Sequence, residues 1–102
     1  NVVEVEILAS AKNDLRRGFK FYEMSQLGAG GYFVRTLVAE AHILKVSAGI
    51  HSKRGNLFRV KFKKFPCWIY YRISDSVVYV RALLSKINLK RLISLLMKSD
   101  SS

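Results

Sequence analysis

The run Arg59-Val-Lys-Phe-Lys-Lys-Phe-Pro-Cys-Trp-Ile-Tyr-Tyr-Arg-Ile73 decides how this chain folds. It reads as two strands meeting at Phe65-Pro66. Before the joint, Phe58, Val60 and Phe62 point one way, and Arg59, Lys61 and Lys63 the other. Successive side chains of a strand lie on opposite faces, so this strand is half apolar and half basic. After the joint, Cys67, Ile69, Tyr71 and Ile73 form an apolar face, with Trp68, Tyr70 and Arg72 opposite. Pro66 cannot donate to a ladder and suits a bend, an edge or a strand start. The pattern predicts a sheet with one greasy face that needs a cover and one aromatic, cationic face left open.

The flanking sequence supplies the cover. Residues 2–8 alternate as a short strand, with Val3, Val5 and Ile7 on one face and Glu4 and Glu6 on the other. If this strand joins the same sheet, the two carboxylates share the basic face, where they are expected to neutralise nearby cations. Ser10 suits a helix N-cap and Asp14 the positive helix end. Ala11, Leu15, Phe19 and Tyr22 follow at helical spacing, and the helix is expected to end near Gln26. Leu27-Gly-Ala-Gly-Gly31 reads as the break; it lacks the preceding strand and Lys-Ser/Thr ending of a phosphate-cradling loop. A second helix is expected over 32–47, with Phe33, Leu37, Ala41 and Leu44 in one stripe. Residues 50–56 read as a basic loop. Asp75-Ser76 makes a tight connection to a fourth strand over 77–84, with Val78, Val80 and Ala82 on its buried face and Tyr79 and Arg81 opposite. Asn88 can cap a short last helix carrying Leu89, Leu92, Ile93 and Leu96. The expected fold is α+β: an N-terminal helical hairpin packed on one face of a four-stranded, mainly antiparallel sheet, with a short C-terminal helix.

A chain of 102 residues is expected to form a single domain spanning 1–102. One cysteine, Cys67, excludes an internal disulfide and a cysteine-rich metal site, and His42 and His51 show no ligand spacing, so no metal and no cofactor are expected. The absence of a bilayer-length apolar run predicts a cytoplasmic protein without a membrane partner. The formal net charge is +11 and is unevenly placed. Residues 1–50 hold 6 Lys+Arg against 5 Asp+Glu, whereas residues 51–102 hold 12 against 2. Such a basic half suits an anionic partner.

Arg59, Lys61, Lys63, Trp68, Tyr70, Arg72, Tyr79 and Arg81 gather on the open face as cations interleaved with aromatics. Cations bind phosphates and aromatic rings stack on bases. The same residue types anchor acidic peptides, and Trp68 with Tyr70 could instead pack under the last helix. All three readings stay open at this point. No Ser-His-Asp set marks a catalytic centre. Cys67, on the apolar face, reads as a buried structural thiol rather than a nucleophile.

Taken in order, the first strand, Ala11-Lys-Asn-Asp-Leu15, the Gly-x-Gly turn before Phe33, and R-x-x-x-x-x-F-P-x-x-I-Y-Y from Arg59 to Tyr71 resemble the ParE/RelE superfamily of bacterial toxins. The resemblance covers about residues 2–92, and F-P-x-x-I-Y-Y is its specific part. It implies the toxin of a type II toxin–antitoxin system, of the kind linked to plasmid stabilisation. ParE-like members poison DNA gyrase; RelE-like members cut mRNA on the ribosome. In the second case Arg59, Lys61 and Lys86 match the strand and near-terminal basic positions, so they are the catalytic candidates of a ribonuclease. Trp68 stands about where that branch has an arginine and Leu92 near its tyrosine; Ser85 stands where the ParE-like branch often has a histidine. The F-P joint resembles the ParE-like branch. The resemblance further implies an acidic antitoxin, forming a hetero-oligomer with the toxin, for which Tyr22 and Tyr32 on the helical hairpin are the candidate anchors. A non-toxic binding module that keeps the fold is a third reading.

Overall fold

The computed structural model describes residues 2–62 and 64–85, with the side chain of Ser85 excepted. The expected C-terminal helix, Lys63 and Lys86 lie outside the described residues. The elements run β1 (Glu4–Ile7), α1 (Ala9–Ser25), α2 (Ala29–Ser47), β2 (Lys53–Arg54), β3 (Leu57–Lys61), β4 (Cys67–Ser74) and β5 (Val77–Ser85). They form one sheet in the order β1-β5-β4-β3-β2. β1 runs parallel to β5, and the other neighbours are antiparallel. The sheet thus has five strands where the alternation predicted four. The extra one, β2, comes from the expected basic loop: Gly55 takes a positive φ of 62°, and the chain turns to pair Lys53 with Phe58 and Arg54 with Leu57.

Both helices cover the face predicted to be greasy. Ala11 and Leu15 of α1 and Phe33, Leu37, Ala41 and Leu44 of α2 share one core with Phe62, Cys67, Ile69, Tyr71, Val78 and Val80. Each large apolar side chain buried there contributes roughly 1.5–3 kcal/mol. Arg59 and Lys61 lie on the other face, as the strict alternation of β3 requires.

Beyond Val80 the parity of β5 changes. Tyr70 pairs with Ala82 and Tyr71 with Val80, so Arg81 is an extra residue at a β-bulge. Ala82, expected beside Val78 and Val80, therefore turns to the open side, where it joins Leu57, Tyr70 and Leu84 in a second buried cluster. Leu83 instead joins the helix-side core.

The same region explains the start of α1. β1 ends at Ile7 opposite Val80, while β5 continues. The Ser10 hydroxyl donates to the Arg81 carbonyl at 2.6 Å, and Asp14 Oδ2 accepts the Leu83 N–H at 3.0 Å. Neither side chain serves its expected role at the helix start: Leu8 occupies the N-cap position, no side chain caps it, and the first turn holds no acidic residue. Two side chains one helical turn apart thus satisfy backbone groups of β5 that β1 no longer reaches.

α2 starts at Ala29, earlier than the predicted Tyr32, so Gly30 and Gly31 are helical and only Gly28 (φ 88°) makes the left-handed joint. Its first N–H groups are satisfied from α1: the Glu23 carboxylate accepts from Gly28 and from Gly30, each at 2.9 Å. The helices cross closely. A Cβ on Gly30 would lie 2.5 Å from the Phe19 carbonyl oxygen, and one on Gly18 would lie 2.1 Å from the Phe33 ring. Phe19 leaves the predicted stripe and is partly exposed.

Candidate functional site: the open face of the sheet

β3, β4 and β5 set the open face by register. Arg59 stands opposite Tyr70, Lys61 opposite Trp68, and Arg72 opposite Tyr79. The Arg59 guanidinium lies over the Trp68 ring, 4.0 Å from its centroid, and that of Arg72 lies 4.5 Å from the centroid of Tyr79. Each cation is thereby held against a quadrupole face, an attraction of about 0.5–2 kcal/mol depending on solvent access. Arg59 Nε is buried and has no hydrogen-bond partner among the described residues. Lys61 is exposed.

Not every predicted member of the face is available. Tyr70 is 1% exposed and packs with Leu57, Ala82 and Leu84, so its ring offers no stacking surface. Trp68 is half-buried against that cluster and Arg81 sits half-buried at the bulge. The pattern of alternation had no way to separate a ring facing outward from a ring covered there.

The charges divide across the sheet. Arg54, Arg59, Lys61 and Arg72 belong to β2, β3 and β4, whereas Glu4 and Glu6 sit on the β1 edge. Three strand spacings separate β1 from β3, roughly 14 Å, which exceeds the screening length in physiological salt. Glu4 and Glu6 form no ion pair with another described residue. The two carboxylates share the basic face, as expected, and stand apart from the cations of β3; Arg81, on the neighbouring strand β5, is the nearest cation by strand order. Lys53 and Arg54, expected in a loop, extend the basic edge as exposed strand residues, and Lys53 lies 4.9 Å from the centroid of Phe58.

The candidate antitoxin anchors separate. Tyr22 is part of an aromatic cluster, 4.9 Å from both Phe33 and Phe65 between ring centroids, and burial pushes its phenol pKa up, with a smaller contribution from Cys67. Tyr32 is 47% exposed. Beside them Phe21, Met24 and Leu27 stand open at the end of α1 and its turn, at 58%, 88% and 91% exposure. The sequence reading missed all three, although Phe21 and Met24 fall at i, i+3 outside the stripe formed by Ala11 and Leu15.

Two further groups bear on chemistry. Burial pushes the Cys67 thiol up to about 11, which leaves it a poor nucleophile. The Tyr71 hydroxyl accepts the Gly49 N–H at 3.0 Å and lies 2.6 Å from His51 Nδ1. The direction of the second bond follows the His51 tautomer: Nδ1 accepts the hydroxyl hydrogen when it is bare and donates when it is protonated. This arrangement fastens the α2–β2 connection to β4. Among the described residues, no cluster of His, Cys, Asp or Glu is placed to hold a metal, and no helix is long and apolar enough to cross a membrane.

No protein-family model matches the sequence, and no curated protein does either. Solved structures match at the level of shape. One is a chain of the chromosomal ParDE toxin–antitoxin system from P. aeruginosa: TM-score 0.67, 13% identity, covering 80% of this chain and 94% of that one. Another is a chain of the toxin–antitoxin complex RelBE2 from Mycobacterium tuberculosis: TM-score 0.55, 16% identity, covering 84% of this chain and all of that one. Two helices on one face of a mixed sheet, ordered as described above, are thus common ground, and the chain has the fold of the ParE/RelE toxins.

Proposed function

We propose that this chain is the toxin of a bacterial type II toxin–antitoxin pair, of the ParE-like branch, acting on DNA gyrase and neutralised by an acidic antitoxin. The observation that carries this reading is the fold shared over 94% of a ParDE chain, taken with the F-P-x-x-I-Y-Y joint between β3 and β4. Trp68 supports the ParE-like branch. A nuclease of the RelE kind would place an arginine near this position, to hold a phosphate and its developing charge. Here the position holds an indole that Arg59 already covers.

One observation favours a second reading. Arg59 and Lys61 lie two residues apart on the open face, and Arg59 Nε is a buried donor with no partner among the described residues. A phosphate held there would satisfy it, as a ribosome-dependent mRNA endonuclease requires.

Induction in bacteria separates the two. Growth arrest with trapped gyrase cleavage complexes is the expected result, and Arg59→Ala with Lys61→Ala is expected to weaken it. Ribosome-dependent mRNA cuts without gyrase trapping would transfer the assignment to the second reading. Unimpaired growth with abundant folded protein would defeat both and leave a binding module.

A further inference from the structure

A hollow of about 730 Å³ lies where the end of α2 meets the β4–β5 connection. One wall is Lys45, Val46 and Ala48; the other is Val2, Ile73 and Ser76. The Val3 N–H bonds to the Ser76 carbonyl at 2.8 Å, which ties the residues before β1 to the second wall. A Cβ on Gly49 would lie 3.6 Å from Ile73 Cδ1, so the walls meet there. Val46 and Ile50 are 88% and 79% exposed and add little to this chain's own core. A hollow and apolar knobs thus stand side by side. Lys45 on the helix wall and Asp75, next to Ser76 on the other, are exposed, and neither forms an ion pair with another described residue. Their charges cancel, in a chain whose formal net charge is +11. From Tyr32 to Val46 the distance along α2 is roughly 21 Å, so this surface is separate from the tip of the helical hairpin.

We propose that this surface docks a second copy of the chain across a two-fold axis running between the two walls. Such an axis sets the helix wall of each copy against the strand wall of the other. Lys45 then meets Asp75 of the second copy, twice, and Val46 and Ile50 enter the facing hollow. Two copies of a chain carrying +11 repel one another, so they can share only a surface without excess charge, and this one is balanced. A bilayer would call for cations around the inserting side chains, where Asp75 stands instead. A standard interface uses roughly 20–30 residues a side; this smaller patch gives a weak dimer. The pairing does not rest on the toxin reading.

Sedimentation equilibrium of the full chain in physiological salt is expected to show a monomer–dimer equilibrium with Kd of roughly 10 μM to 1 mM. On concentration, amide signals of isotope-labelled protein should shift over 44–50 and 73–76. Val46→Ser with Ile50→Ser should weaken the dimer by at least about tenfold. Lys45→Asp alone and Asp75→Lys alone each set like charges face to face and should weaken it as much. Mixed in equal amounts, these two variants restore both opposite-charge pairs, so the mixture is expected to dimerise near the parental Kd. Circular dichroism confirms that each variant folds, and the apolar variant and the signal shifts test the surface independently of the charge pair. A monomer at every concentration, parental Kd in the apolar variant, or a mixture of folded variants no better than its components overturns the proposal. Shifts confined to 21–32 overturn it by placing the contact on the hairpin. Sedimentation of a monomeric chain with phosphatidylglycerol vesicles through Val46 and Ile50 overturns it in favour of a lipid surface.

Discussion

Glu23 shows how one side chain can join two elements. Its carboxylate reaches forward five and seven residues, to the N–H groups of Gly28 and Gly30. It thereby caps α2 from the end of α1, and its charge faces the positive end of the α2 dipole. Glu23→Ala is expected to cost about 1–2 kcal/mol, the range found for lost caps. Glu23→Gln, which retains one acceptor oxygen, should cost less. Urea unfolding should show a lower midpoint with unchanged slope in both. Local signatures place a cap immediately before a helix, so this one was not legible in the sequence, and the start of α2 was expected at Tyr32. The alternation around Arg59 was legible because β3 and β4 follow it strictly, and it placed Arg59, Lys61 and Trp68 on the correct face. The burial of Tyr70 was not, since it depends on what covers that face and not on which way the ring points.

At the scale of elements, close approach sets the hairpin. Gly30 meets backbone at Phe19, whereas Gly18 meets the ring of Phe33. Alanine favours both helices by up to about 1 kcal/mol over glycine. The clash outweighs this at Gly30, because a carbonyl cannot rotate away and the helices must separate. Phe33 is itself wedged in the aromatic cluster with Tyr22 and Phe65, so Gly18→Ala is also expected to destabilise, by about 1–3 kcal/mol. Thermal unfolding should rank parent, Gly18→Ala, Gly30→Ala in falling order; a Gly30→Ala variant as stable as the parent would refute the crossing. The β4–β5 connection runs the other way. Asp75 and Ser76 both adopt left-handed φ values, 50° and 66°, at a cost of roughly 1–2 kcal/mol for each L-residue. Ser76→Gly is expected to raise stability by up to about 1 kcal/mol, since the Val3 N–H bonds to its backbone carbonyl and survives the change. The tight turn was legible from Asp75-Ser76. β2 was not, because two residues show no period, and neither was the bulge, because a single inserted residue at Arg81 inverts everything after it.

At the scale of the whole molecule, the buried acids of the core make stability fall in alkali. Burial raises the pKa of Cys67 from 9.0 to about 11. It also raises Tyr71, against a smaller opposing effect of the Gly49 hydrogen bond, and Tyr22. The sign follows from proton counts. Above the unfolded pKa the unfolded chain has released its thiol proton, while the folded protein retains it until about 11. The unfolded state then binds fewer protons, so folding stability declines through that window and levels off above it, by at most about 1.4 kcal/mol per pH unit for each group. The +11 net charge complicates a direct reading. Lysines also lose protons in alkali, which relieves repulsion and opposes the decline. A comparison of variants removes that background, because the lysines are the same in both. Cys67→Ala is expected to be less stable than the parent at neutral pH, through the lost packing of a residue 7% exposed. Between about pH 9 and about pH 11 its stability should fall less steeply than the parent's. Urea unfolding at intervals across that range measures both slopes. Equal slopes would mean that the thiol ionises as readily in the core as in the unfolded chain. A thiol-specific reagent supplies the independent check: slow reaction with the native protein near pH 8, and fast reaction once urea has opened the fold.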